Sequence, residues 1–171
     1  SISWLGIKPY VLSYPNPNNA YKAQNSMREA LGMSVNPISF SSFREAKKAL
    51  KEGYSVVTGI DRPLPEGSDA KYRPHFFGRE AALPVFYGRL ALETNAVVRV
   101  ACGVRSEDGH YFVDATDPIP MEKRNDLVEE NVFNAESVLR PTEKFIRKAQ
   151  SQWCMLQPVW PEVLPVLNQI T

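Results

Sequence analysis

The feature that most constrains this fold is a helix that stops where a strand begins. Ser42-Phe43-Arg44-Glu45 has the form of a capping box, with a serine hydroxyl and a carboxylate three residues apart closing the first turn. Ala46, Ala49 and Leu50 follow at helical spacing, and Gly53 supplies a left-handed stop. The next seven residues, Tyr54 to Ile60, form a β-rich run of the length of a buried strand. Upstream, Tyr10 to Tyr14 is another short apolar run, closed by Pro-Asn-Pro. Asn19 is placed to cap a helix that runs to about Leu31 and ends at Gly32. Strand, helix and strand recur in order, which predicts an α/β fold.

The strand ending at Ile60 delivers Asp61 and Arg62 at its C-terminal end, the side of an open α/β sheet where ligands collect. These two residues either pair and line a pocket or anchor the proline-rich loop from Pro63 to Pro74. A helix is expected from about Pro84, a first-turn position, to Glu93. Asn95 to Val104 and His110 to Ala115 read as strands that pair with each other through the polar turn Arg105 to Gly109. A last helical region covers roughly Asn125 to Gln150, where Pro141 is expected to kink the helix or start a new one. Beyond Trp153 the apolar, proline-broken tail has no regular period.

Twenty basic against nineteen acidic residues leave a formal charge of +1, so no global field draws in nucleic acid. Cys102 and Cys154 lack partners at metal-ligand spacing and are read as buried free thiols. The longest apolar stretch, Ala81 to Val104, is broken by Arg89, Glu93 and Arg99, short of the roughly 18 to 20 uncharged residues of a membrane span. There is no glycine-rich phosphate loop and no Gly-x-Ser-x-Gly elbow. Fourteen prolines mark connections and tail without isolating a second domain, so one domain over 1–171 is expected.

His75 stands five positions before Glu80, a spacing that suits a histidine general base oriented by a carboxylate. The alternative is an exposed loop histidine, with Glu80 near a helix start where its charge suits the macrodipole. Phe76, Phe77 and Gly78 either form an apolar ligand wall, with close backbone approach at the glycine, or pack in the core. Arg44, Lys47, Lys48 and Lys51 either receive an acidic partner or form a solvated lysine-rich face. Trp4, Trp153 and Trp160 are expected to fill hydrophobic gaps.

Three stretches occur in order: GIDRP, then HFFGREAALPVFYGRLALETNAVVRVACGVR, then EKFIRKAQSQW. Together they resemble the bacterial lipid A lauroyl/myristoyl acyltransferase family, within the wider lysophospholipid acyltransferase superfamily, over most of the chain. The resemblance implies an α/β domain with a mixed β-sheet flanked by helices, here an incomplete one forming the C-terminal part of a lipid acyltransferase domain. It implies transfer of a fatty acyl chain from acyl carrier protein or coenzyme A to a hydroxyl of a lipid A-type or glycolipid acceptor. The donor is a co-substrate, and no cofactor or metal is implied.

By the same resemblance the catalytic histidine and acidic residue lie upstream of Ser1, so His75 and Glu80 share their spacing by chance. The chain alone is then expected to be inactive, because losing general-base catalysis costs roughly 10²- to 10⁴-fold. Arg28 matches an arginine that relatives carry on the helix before the second strand, and Lys22 falls where many have an arginine after a tyrosine. Lys22, Arg28, Asp61, Arg62, Phe76, Phe77 and Gly78 are the implied substrate-binding residues, with Lys22 and Arg28 for phosphate or sugar. Met155 and Gln157 depart from the family pattern after Gln152-Trp153.

The resemblance also implies the cytoplasmic face of the bacterial inner membrane, reached through an N-terminal segment missing here. The alternative to an enzyme is a non-catalytic lipid-binding or scaffold domain with the same architecture. An exposed sheet edge predicts self-association of the isolated chain.

Overall fold

The computed structural model describes residues 6–64 and 69–163. Trp4 and part of the proline-rich loop lie outside the described residues. The chain divides into two compact units, 1–59 and 60–171.

The first unit is a parallel three-stranded sheet with two helices. Strand β1 (Pro9–Ser13) lies in the middle, with β2 (Ser34–Pro37) on one side and β3 (Ser55–Thr58) on the other. Tyr10 is opposite Ser34 in one ladder and Val56 in the other. Helix α1 (Asn19–Ala30) connects β1 to β2, and α2 (Phe40–Lys51) connects β2 to β3. The strand order 2-1-3 reverses direction at β1, so right-handed crossovers place the two helices on opposite faces.

That arrangement covers β1 on both sides. All five of its residues are buried, which accounts for its unbroken apolar run. Tyr10 and Leu12 point toward α2, where the Tyr10 hydroxyl donates to the Ser42 carbonyl at 3.4 Å and to Glu45 Oε2 at 3.2 Å. Ala46 and Ala49 supply the buried side of that helix. Val11 and Ser13 point the other way, toward α1.

The local signals need three corrections here. Asn18, not Asn19, caps α1, its side chain accepting the Tyr21 N–H at 2.9 Å. The capping box of α2 is Ser39 with Ser42, three residues earlier than Ser42 with Glu45. Glu45 is thereby free to meet Tyr10 rather than close a turn. Strand β3 is shorter than the apolar run and only half-buried, because it lies at an edge of the sheet. Strand β2, with its serine, asparagine and proline, carried no apolar signal and was not anticipated.

The second unit carries antiparallel pairs and two packed helices. Strands β4 (His75–Phe76) and β5 (Arg79–Glu80) form a tight hairpin around Phe77 and Gly78. Helix α3 (Phe86–Thr94) follows, then the anticipated hairpin of β6 (Ala101–Arg105) and β7 (Tyr111–Ala115). Helix α4 (Leu127–Lys148) packs on α3 and on the first hairpin. α/β is therefore the class of the chain, with parallel pairing in the first unit and antiparallel pairing in the second.

Further differences have local causes. Pro84 lies before the N-cap residue Val85, outside α3. Helix α4 continues through Pro141 rather than starting anew there. Glu80 is on β5, not at a helix start. Cys102 is only partly buried and Cys154 is exposed, so neither is a core thiol. Trp153 and Trp160 do fill gaps, packing against the core of Phe76, Ala81, Leu83, Leu139 and Val159.

Candidate functional site

In the first unit the α1 side of the sheet is polar where strand β1 ends. Tyr21, Asn25 and Arg28 are spaced to share one helix face and are the partly buried members of α1 among mostly exposed neighbours. Asn25 Nδ2 donates to the buried Ser13 Oγ at 3.2 Å, and Arg28 Nη1 donates to Asn25 Oδ1 at 2.6 Å. The Arg28 guanidinium lies over the Tyr21 ring, 5.4 Å from its centroid, and Tyr21 meets Tyr14 edge-on. One hydrogen-bonded chain from strand to helix thus fixes where this cation sits, while the other faces of its donor fork remain available to a ligand. Lys22 is one position off that face and is exposed.

This polar end lies at a topological switch point. The strand order reverses at β1, and in open α/β sheets the C-terminal ends of the strands at such a reversal are where ligands collect.

In the second unit Asp61 Oδ2 accepts the indole N–H of Trp153 at 2.9 Å. Gln152, next to that tryptophan, pairs its side-chain amide with the backbone of Arg105: Oε1 accepts the N–H and Nε2 donates to the carbonyl, each at 2.8 Å. The glutamine thereby continues the β6 edge as a strand would. Partial burial, with the negative charges of Asp114 and Asp61 added, pushes the Cys102 thiol above its ordinary range. That disfavours a thiolate nucleophile at this position. Arg62 is exposed beside Asp61.

The His75 to Glu80 stretch resolves into a hairpin with a specific support. His75 and Glu80 are cross-strand partners, which is where their spacing comes from. The imidazole does not use that partner: Nδ1 lies 2.8 Å from Glu136 Oε1, which also accepts the His75 backbone N–H at 2.9 Å. Seven residues along α4, Glu143 Oε1 accepts the Phe77 N–H at 2.7 Å. Two carboxylates two turns apart on one helix face therefore hold alternate N–H groups of the hairpin.

At the tip Phe77 has φ +52° and Gly78 φ +75°, the pair of positive values that a two-residue hairpin turn demands. Gly78 is there for its backbone conformation and not for close approach, since a Cβ built on it meets nothing within 4 Å. Phe76 is fully buried in the core, and Phe77 packs half-buried beside it, with Trp153 and Trp160 around both. Glu136, Glu143, Asn25, Gln152 and Trp153 as the partner of Asp61 were not singled out from sequence as site-forming residues. A regular seven-residue spacing of glutamates on α4 is the signal that was present.

Among curated proteins none matches the chain. The sequence model described as "Bacterial lipid A biosynthesis acyltransferase" matches residues 10–162, from the first residues of β1 to the last described turn. That span contains the polar end of the parallel sheet, the Asp61–Trp153 link and the clamped hairpin, and it covers most of the chain: this protein belongs to the bacterial lipid A biosynthesis acyltransferase family.

Proposed function

We propose that this chain forms the C-terminal part of an acyltransferase domain and binds the acceptor for transfer of a fatty acyl chain. The donor in this reading is acyl carrier protein or coenzyme A, and the acceptor is a hydroxyl of a lipid A-type or related glycolipid. The observation that carries it is Arg28, held at the C-terminal end of a parallel strand by the Ser13–Asn25 relay. A guanidinium fixed in this way gives charge-assisted, geometrically defined bonds to a phosphate oxygen of a lipid headgroup. Lys22, exposed one position from Tyr21, adds a less constrained positive charge.

In the second unit, Asp61 and Arg62 are substrate-binding residues in this reading, and Phe76 to Gly78 support the acyl-chain wall. Asp61 is fixed by Trp153 and Phe76 by the surrounding core, so both are rigid supports rather than mobile groups. The proton-transferring histidine and carboxylate come from outside these 171 residues, at the cytoplasmic face of the inner membrane. This reading takes His75 as a structural residue, whose Nδ1 and backbone N–H meet the same glutamate and tie the hairpin to helix α4.

The test is steady-state transfer by the intact protein with a phosphorylated acceptor lipid. Arg28→Ala is expected to raise the KM for acceptor about 10- to 100-fold, the loss of a hydrogen bond to a charged group. Arg28→Lys is expected to recover part of that loss. An unchanged KM in both variants overturns the reading.

A further inference from the structure

The solvent face of helix α2 has a composition that neither the fold nor the acceptor site accounts for. Ser42, Ala46 and Ala49 are its buried side, centred on the sheet. At 100° per residue, the positions opposite are Phe40, Arg44 and Lys51, flanked by the exposed Lys48 on one side and the half-buried Lys47 on the other. The row runs the length of the helix, about 16 Å at 1.5 Å per residue.

Its two acidic residues lie off this face. Glu45, exposed on the flank of the helix, accepts from Tyr10, and Glu52, at the C-cap, meets Lys48 at 3.7 Å in an exposed i,i+4 pair of little energetic weight. At the N-terminal end of the row Phe40 is 94 % exposed, more than any aromatic residue among those described.

We infer that this face of α2 docks on an anionic lipid bilayer. Three exposed cations, Arg44, Lys48 and Lys51, along a helix held flat by its sheet give a one-sided positive stripe, with Lys47 half-buried at its edge, and such clusters are drawn to anionic headgroups. The charge alone would serve an acidic protein equally well. The exposed phenylalanine in the same row favours the bilayer, because an aromatic ring gains by entering the headgroup and acyl boundary, whereas in water it is a standing cost. The geometry is that of an interfacial helix whose apolar side is occupied by the protein's own sheet. Its affinity therefore rests on charge plus one ring, which makes it reversible and salt-sensitive. The inference shares with the acyl-transfer reading only the premise that the acceptor is a lipid.

The experiment is cosedimentation of the full chain with vesicles of phosphatidylglycerol and phosphatidylcholine, or of phosphatidylcholine alone, without donor or acceptor. The wild type is expected to bind the anionic vesicles, to bind neutral ones far less, and to be released by 0.5 M salt. The triple variant R44Q/K48Q/K51Q is expected to lose about 100-fold in partitioning, at about fivefold per cation. Phe40→Ser is expected to lose about tenfold while keeping the salt dependence.

Binding of the triple variant equal to that of wild type overturns the inference. So does wild-type binding that is insensitive to salt, a readout that depends on no variant's folding. If the triple variant loses binding to acyl carrier protein but not to vesicles, the stripe is a protein-docking face and the bilayer is excluded. Vesicle binding that follows these expectations, with an acceptor KM unchanged in both Arg28 variants of the intact protein, refutes the acyl-transfer reading alone.

Discussion

The indole N–H of Trp153 donates to Asp61 Oδ2 at 2.9 Å, joining positions 92 residues apart. Asp61 follows the end of the apolar run from Tyr54 to Ile60, and Trp153 follows the short 3₁₀ turn Gln150–Gln152 after helix α4. Two stretches that carry the family resemblance are thus one local structure. Gln152 holds the β6 edge while its neighbour holds Asp61, so the tail fixes both the hairpin and the carboxylate.

Trp153→Phe keeps a ring in the cluster with Phe76 and Phe77 but removes the donor to Asp61. Leaving a part-buried carboxylate without that bond is expected to cost about 1 to 3 kcal/mol. Urea denaturation followed by circular dichroism measures it. A midpoint within error of wild type would show that the bond contributes nothing net.

His75→Ala is expected to lower acyl transfer by the intact protein less than tenfold, against the roughly 10²- to 10⁴-fold of a lost general base. Glu143→Leu, which deprives the Phe77 N–H of its acceptor, is expected to destabilise by about 1 to 3 kcal/mol, while Glu143→Gln retains an acceptor oxygen and stays close to wild type. A collapse of the rate in His75→Ala, with the fold intact by circular dichroism, would restore His75 as a catalytic base.

Gly88→Ala tests the α3–α4 contact. A Cβ at Gly88 falls 2.6 Å from Asn134 Cβ, and Asn134 is fully buried. It cannot swing aside, because its amide accepts the Glu122 N–H and donates to the Glu122 and Glu130 carbonyls, at 2.8, 2.8 and 2.9 Å. Overpacking is expected to cost about 1 to 3 kcal/mol in urea denaturation, although alanine is the better helix former. A stabilised variant would mean that the helices separate freely.

Tyr10 should ionise late. Burial first, and then the hydrogen bond to Glu45 and its negative charge, push the phenol up to about 12. Since the folded state holds this proton above the ordinary tyrosine value near 10, its contribution to stability is complete below about pH 10 and is lost as the pH rises toward 12. Tyr87, deeply buried, is pushed up as well. Ultraviolet titration is expected to show two of the seven tyrosines lagging, with Glu45→Gln advancing one of them. Seven phenols titrating together near pH 10 would contradict the buried geometry.

Patterns of short range were legible in the sequence. The buried run at β1, the Ala46–Ala49 stripe, the Gly32 and Gly53 stops with φ of +82° and +83°, and the β6–β7 hairpin all follow from periodicity and turn chemistry. These are determined by neighbours within a few residues, so the sequence by itself settles them. It also carried the family, through ordered stretches whose separations the fold later joins.

Tertiary structure alone decided which polar groups meet. Nothing local distinguishes Ser39 from Ser42 as a cap until Tyr10 claims Glu45 from the neighbouring strand. His75 and Glu80 have a catalytic spacing in the chain, yet Glu136, 61 positions away, takes the imidazole, because α4 packs beneath the hairpin. A buried or clamped polar group is satisfied by whatever the packing brings within about 3 Å, and sequence distance does not encode that.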